Sequence, residues 1–198
     1  VKWIYPHQIW AFEGHGGVYL TFDDGPQMEL TPWLLDYLKS EGIEATFFLL
    51  GEQVEKHPEL VQLIRENGHD IGNHGFKHFR IGEVPADEYY DNFLKGQQFQ
   101  TINYFRPPYG KLNRSMVHRI GAQSKIVMWS WLSYDFDAKV ANWKIVNKLK
   151  NQVKEGDILV FHENEYTKNR LKTLLPKAIE VIKNKGLQFK KFPQQVKL

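Results

Sequence analysis

The feature that most constrains this chain is the regular alternation of short apolar runs with longer amphipathic stretches. Residues 18–22, 45–50, 69–73, 104–106, 126–129 and 158–161 read as strands, and 188–189 as a short closing one. Between them lie helix signals. Thr31-Pro32 reads as an N-cap followed by proline in the first turn, and that helix stops near Gly42. Pro58 opens another, with Leu60, Leu63 and Ile64 on one face and Gly68 at its end. Further helices are expected over 87–101, 114–120, 142–153 and 171–185. Such alternation predicts a mainly parallel sheet with helices outside it. No repeat, linker or composition break marks a second domain, so residues 1–198 read as one domain, small for an α/β barrel.

Composition removes several classes of function. Lys plus Arg number 26 against 23 Asp plus Glu, a net charge of +3, too mild for a nucleic-acid partner. The densest basic stretch, 168–191, is interleaved with Leu and Ile and reads as the solvated face of a helix. There is no cysteine, which excludes disulfides, thiolate metal sites and cysteine nucleophiles. Any metal must be held by His, Asp or Glu, and eight His are present. No apolar run approaches the ~20 residues of a membrane helix. The chain starts at Val1 rather than Met, which leaves an export leader or anchor upstream open.

The residues with chemical character follow the strand ends: Asp23 and Asp24, His74, Arg106, Asp135 and His162. In a closed parallel sheet all strand C-termini share one face, where active sites are built. Adjacent Asp23 and Asp24 repel each other unless a cation neutralises one and frees the other for proton transfer. The plainer reading is a turn, since Asp-Gly-Pro is ordinary turn chemistry. The HxxxH spacing of His74 and His78 places both imidazoles on one side of a helical turn, close enough to share a metal, unless they are two unrelated histidines. A carboxylate with two His suits Zn first, and Co, Ni, Mn or Fe as well. Arg106 sits in a stiff proline loop that can aim a guanidinium at Asp23, or is a surface Arg in a structural loop. His162 ends a buried strand, as a proton donor or as a hydrogen-bonded structural residue.

Taken together, TFDDGP (21–26), HGFKH (74–78), FRPPYG (105–110) and LVFH (159–162) resemble, in order, motifs of the polysaccharide deacetylase family, also called the NodB homology domain or carbohydrate esterase family 4. The resemblance runs over about residues 18–189. It implies a distorted (β/α) barrel of about seven parallel strands. It implies Asp24, His74 and His78 as ligands of one divalent metal, Asp23 as general base, His162 as general acid and Arg106 as the partner that positions Asp23. Tyr109 would give a backbone N–H to the oxyanion, and Leu159 would line the pocket for the acetyl methyl. Two departures stand out. Gly75 replaces the usual Ser or Thr, removing a hydroxyl that fastens the loop. In the fourth motif, counted from Trp129, the first Asp position falls on Leu132, the second on Asp135 and the Trp position on Phe136. Asp135 or Asp137 then takes over the tuning of His162, or that histidine acts with a lowered pKa. Glu163 also stands where an Asp commonly follows the histidine.

The expected activity is a metal-dependent hydrolysis that removes N-acetyl groups from amino sugars of a peptidoglycan- or chitin-like glycan. Trp129, Trp131, Tyr134 and Phe136 are candidate faces for a sugar, or core rings; Trp131 and Phe136 are taken as substrate contacts. Alternatives are an O-deacetylase, a deformylase or a binding relative with weakened catalysis. Phosphoester chemistry is more distant, since no second metal cluster is present. The expected partner is an acetylated oligo- or polysaccharide, and envelope glycans favour an extracytoplasmic location.

Overall fold

Period-two alternation in one strand decides how the sheet sits in the molecule. In the computed structural model, which describes residues 8–193, Tyr19–Asp23 is a fully buried strand. Leu20 and Phe22 join the larger apolar cluster under the helices, whereas Tyr19 joins the smaller one on the opposite face. Thr21 and Asp23 share the face of Tyr19, because successive side chains point to opposite sides. A strand buried on both faces belongs in the middle of a parallel sheet.

The elements run β1 (Gln8–Ile9), β2 (Tyr19–Asp23), α1 (Thr31–Glu41), β3 (Thr46–Leu49), α2 (Gly51–Lys56), α3 (Pro58–Glu66), β4 (Asp70–Asn73), α4 (Ala86–Gln97), β5 (Tyr104–Phe105), a 3₁₀ turn (Pro108–Gly110), α5 (Arg114–Gly121), β6 (Lys125–Val127), β7 (Trp131–Leu132), α6 (Asn142–Gln152), β8 (Ile158–His162) and α7 (Lys168–Asn184). The strands form one sheet in the order β1-β6-β5-β4-β3-β2-β8-β7, with every pairing parallel. The result is a curled half-barrel with helices on its outer face, the distorted (β/α) architecture expected, with eight strands rather than about seven. The added strands, β1 and β7, have two residues each, too few to show a period. The expected closing strand at 188–189 contributes a single bridge, Val18 to Phe189. The domain span 1–198 reaches positions 1–7 and 194–198, which lie outside the described residues.

Register does the rest. Asp23 pairs with His162 across β2 and β8, and Asn73 pairs with Phe105 across β4 and β5. The four strand ends therefore carry Asp23 next to His162 and His74 next to Arg106. One local expectation is corrected here. Thr31 is the first residue of α1 rather than its N-cap, which is Leu30. Its hydroxyl accepts from the Gln27 N–H at 2.7 Å and donates to the buried Glu163 carboxylate, so it ties β8 to the turn after β2.

Candidate active site

Arg106 is fully sealed, 0 % exposed. Its Nη1 donates to Asp23 Oδ1 and to Thr21 Oγ1, both at 2.7 Å, and its Nη2 donates to the Met128 carbonyl at 3.0 Å. The guanidinium also lies 4.1 Å over the Phe48 ring. Burial pulls the Arg106 pKa down, and the Asp23 charge and hydrogen bond work against that. A planar fork with fixed partners is the best available holder for a buried carboxylate.

Asp24 leaves the strand with φ 81°, in the left-handed region. That turn sends its carboxylate away from Asp23 and toward the loop after β4. Its Oδ2 accepts from Asn164 Nδ2 at 2.8 Å. Its Oδ1 is buried and accepts no hydrogen bond, yet His74 Nε2 and His78 Nε2 each stand 3.5 Å from it. His74 Nδ1–H donates to the Arg106 carbonyl at 2.7 Å, which leaves a lone pair on Nε2. Ligand atoms of Asp24, His74 and His78 all lie within 4.8 Å of one another. An orphaned carboxylate oxygen facing two imidazole nitrogens fits a divalent cation. Burial opposes the charge on Asp24, but the close approach of His74 and the charges of the surrounding histidines hold its carboxyl well below the usual range. Burial and the neighbouring His74 push His78 down to about 4, toward the neutral form that a metal needs.

The segment carrying the two histidines is not the expected helical turn. Residues 74–78 are irregular, with Gly75 at φ +88°. The loop is nonetheless well fastened. The Asn92 side chain accepts from the Lys77 N–H at 2.7 Å and donates to the Lys77 carbonyl at 2.9 Å.

On the other side of the cleft His162 is held twice by Asp135. Its Nδ1–H donates to Asp135 Oδ1 at 2.7 Å, and its backbone N–H donates to Asp135 Oδ2 at 2.8 Å. Of the two candidates left by the altered fourth motif, Asp135 faces the histidine, while Asp137 Oδ1 accepts from the Lys139 N–H. Burial acts downward, but the Asp135 hydrogen bond and charge, with Asp24 and Asp23 behind, push His162 up to about 9. Glu163 is wholly buried beneath the site; burial pushes its carboxyl up to about 8, and its N–H donates to the Asp23 carbonyl at 2.7 Å. Gly25 makes room for it, since a Cβ there would lie 2.1 Å from Glu163 Oε2.

Asp23, Asp24, His74, His78, Tyr109 and His162 open on one cavity of about 440 Å³. Of the expected substrate contacts, Tyr109 (φ 58°) and Phe136 line it, and the Phe136 ring meets His162 edge-on at 4.9 Å. Leu159 and Trp131 do not line it, and both expectations are corrected. Leu159 stands three residues before His162 on a strand, so it faces the helices together with Phe161, 0 % exposed. Trp131 is 3 % exposed and packs on Phe161 in the same cluster, while its neighbour Leu132 turns to the cavity. Pro107, Trp129, Leu132, Arg80, Lys111 and Asn164 complete the wall. Arg80, Lys111 and Asn164 were missed by sequence reading. Asn164 was findable, because it follows His162 by two residues at a strand end already marked as chemical.

Comparisons with known proteins agree with this geometry. The model of the family described as "Polysaccharide deacetylase" matches residues 13–124. A peptidoglycan-N-acetylglucosamine deacetylase of Bacillus cereus is 35% identical over 196 residues, covering 93% of this chain and 70% of that protein. The peptidoglycan-N-acetylglucosamine deacetylase PgdA of Listeria monocytogenes is 35% identical over 179 residues, covering 87% of this chain but only 37% of its own length. Among solved structures, the peptidoglycan N-acetylglucosamine deacetylase Bc1960 superposes with a TM-score of 0.83 at 30% identity, covering 97% of this chain and 94% of the other. A motif set in order, a matching family model and a whole-domain superposition lead to one conclusion: the chain belongs to the polysaccharide deacetylase family.

Proposed function

We propose that this protein hydrolyses N-acetyl groups of amino sugars in an envelope glycan, using one divalent cation held by Asp24, His74 and His78. The observation that carries the reading is the buried, unpaired Asp24 Oδ1 met by two imidazole nitrogens at 3.5 Å. The donor set suits zinc first, with Co, Ni, Mn or Fe as alternatives. A cation there supplies Lewis acidity toward a water molecule and the acyl oxygen.

The side chains around it fit the remaining steps. Asp23, aimed by the buried Arg106, takes the proton of the attacking water. The backbone N–H of Tyr109 is the oxyanion donor that the family resemblance implies. His162, with Nδ1–H committed to Asp135, presents Nε2 to the leaving amine and protonates it. Without that proton the tetrahedral intermediate reverts. The weakened-relative reading loses its main support, because Asp135 supplies the carboxylate that Leu132 cannot.

The names of the two relatives support peptidoglycan N-acetylglucosamine as the substrate and an extracytoplasmic location. Among the described residues no helix is long and apolar enough to cross a membrane. The exposed rim cations Arg80 and Lys111 favour an acidic glycan over a neutral one.

The test is acetate release from peptidoglycan, chitooligosaccharide and O-acetylated xylan, before and after chelation and after zinc is restored. We expect release from the N-acetylated substrates, loss on chelation and recovery with zinc. We also expect the preference for peptidoglycan to shrink as salt rises. Release from xylan alone moves the reading to an esterase. Metal binding without turnover on any substrate overturns it in favour of a binding protein.

A further inference from the structure

The distance between His74 and His78 is not set by a helix. It is set by three intervening residues, and each of them is held from outside. The Gly75 N–H donates to Asn73 Oδ1 at 2.7 Å, and the Gly75 carbonyl accepts from the Gly51 N–H at 3.0 Å. The Phe76 carbonyl accepts from the Glu52 N–H at 2.9 Å, and its own N–H donates to the Asn92 carbonyl at 3.0 Å. Lys77, next to the ligand His78, is held through both its N–H and its carbonyl by the Asn92 carboxamide. One residue of α4 therefore makes three hydrogen bonds to two consecutive loop residues. Asn92 is only 9% exposed, so water does not readily replace it.

Gly75 is shaped to the same partner. Its φ of +88° suits glycine, and a Cβ there would lie 2.7 Å from Asn92 Nδ2. A side chain at 75 and the carboxamide of Asn92 thus compete for one space. Sequence reading expected a loosened loop from the missing hydroxyl at 75, whereas the structure supplies a tether from the facing helix.

We propose that Asn92 is a positioning residue that sets the spacing of the two ligand histidines, and that Gly75 and Asn92 act as a matched pair. The proposal rests on the metal-site reading above. Its action runs through Lys77 to His78, so the quantity it controls is the metal affinity of the folded protein. Groups that hold ligands in place commonly change metal affinity 10- to 100-fold when removed.

The experiment is a zinc titration of the chelator-stripped full chain by chelator competition at 25 °C, beside thermal unfolding of the same metal-free samples. Asn92→Ala is expected to weaken zinc roughly 10- to 100-fold while the metal-free protein stays folded at that temperature. Gly75→Ala is expected to weaken it as well. In the double variant the two effects are expected to fall well short of their product, because Asn92→Ala removes the carboxamide that a side chain at 75 would strike, while the backbone cost at position 75 is common to both backgrounds and cancels in the cycle. Should Asn92→Ala not fold, Asn92→Ser carries the same test, since one short hydroxyl cannot serve both groups of Lys77. A zinc Kd within threefold of the parent, with only the unfolding temperature lowered, makes Asn92 merely structural and overturns the proposal. Full multiplication of the two single effects overturns the pairing. A parent chain that binds no zinc, cobalt or nickel overturns the metal site itself, and this proposal with it.

Discussion

Two charge pairs flank the cavity, and they are built in opposite ways. Asp23 and Arg106 both sit at strand ends and are sealed, at 3 % and 0 % exposure. His162 sits at a strand end, but Asp135 lies in the loop after β7, and the histidine side chain keeps 16% of its surface open. The sealed pair cannot relax. Its guanidinium has committed Nη1 and Nη2 to three oxygens, so it fixes the direction of one carboxylate. The open pair still faces the cavity and can exchange a proton there. A general base that must be aimed at one water and a general acid that must reach the leaving amine call for these two environments.

The sharpest way to break the comparison is to neutralise one member on each side. Asp23→Asn should leave zinc bound and reduce turnover by the roughly 10²- to 10⁴-fold that a positioned base contributes. Full activity in that variant removes Asp23 from the role of base. Arg106→Met should fail differently, by costing stability as well as rate. Leaving Asp23 charged and unpaired in the interior costs about 3–5 kcal/mol, visible as a lower denaturant midpoint. A midpoint equal to the parent's would mean that the pair is not as sealed as its geometry indicates.

The open pair should respond in pH rather than in folding. Its histidine is raised to about 9, so the pair contributes stability fully below pH 6.5 and loses it as pH rises through 9. The protonated form is also the acid that the leaving amine needs. Activity should therefore have an alkaline limb set by His162, drawn below 9 in the metal-loaded protein by the charge of the cation. Asp135→Asn removes the largest stabilising partner, so the limb should move toward 6.5, the ordinary histidine value. Turnover at pH 8 should fall by about 10- to 100-fold, less than the full 10²- to 10⁴-fold of a lost acid. An alkaline limb that stays where it was in the parent would show that another group sets it.

The same contrast explains what could be read from sequence. Asp23, Asp24, His74, Arg106 and His162 were legible because each ends an apolar strand, and a parallel sheet gathers strand ends on one face. Asp135 was legible only as one of two candidates, because the choice depends on the path of a loop whose residue Tyr134 adopts φ 57°. Leu159 and Trp131 were misplaced for a simpler reason. A motif quoted as consecutive letters hides the strand alternation, which puts residues one or three positions apart on opposite faces. Asn92 left no trace at all, since its partner lies 15 residues away across a loop without a period.

The cavity rim offers the smallest and most discriminating test. Phe136 is 49% exposed beside His162, and Trp131, five residues earlier, is buried. If Phe136 serves as a sugar platform, Phe136→Ala should raise KM roughly two- to tenfold with kcat nearly unchanged, the scale of a single aromatic contact. Trp131→Phe should leave KM alone and show only as lower stability, because its ring contacts Phe161 rather than the cavity. The opposite pattern for Phe136, a fall in kcat with KM constant and an alkaline limb shifted as in Asp135→Asn, would assign its edge-on contact to the orientation of His162. The ring would then belong to the open charge pair, and the sugar would have to be held by Trp129 and Tyr109 across the cleft.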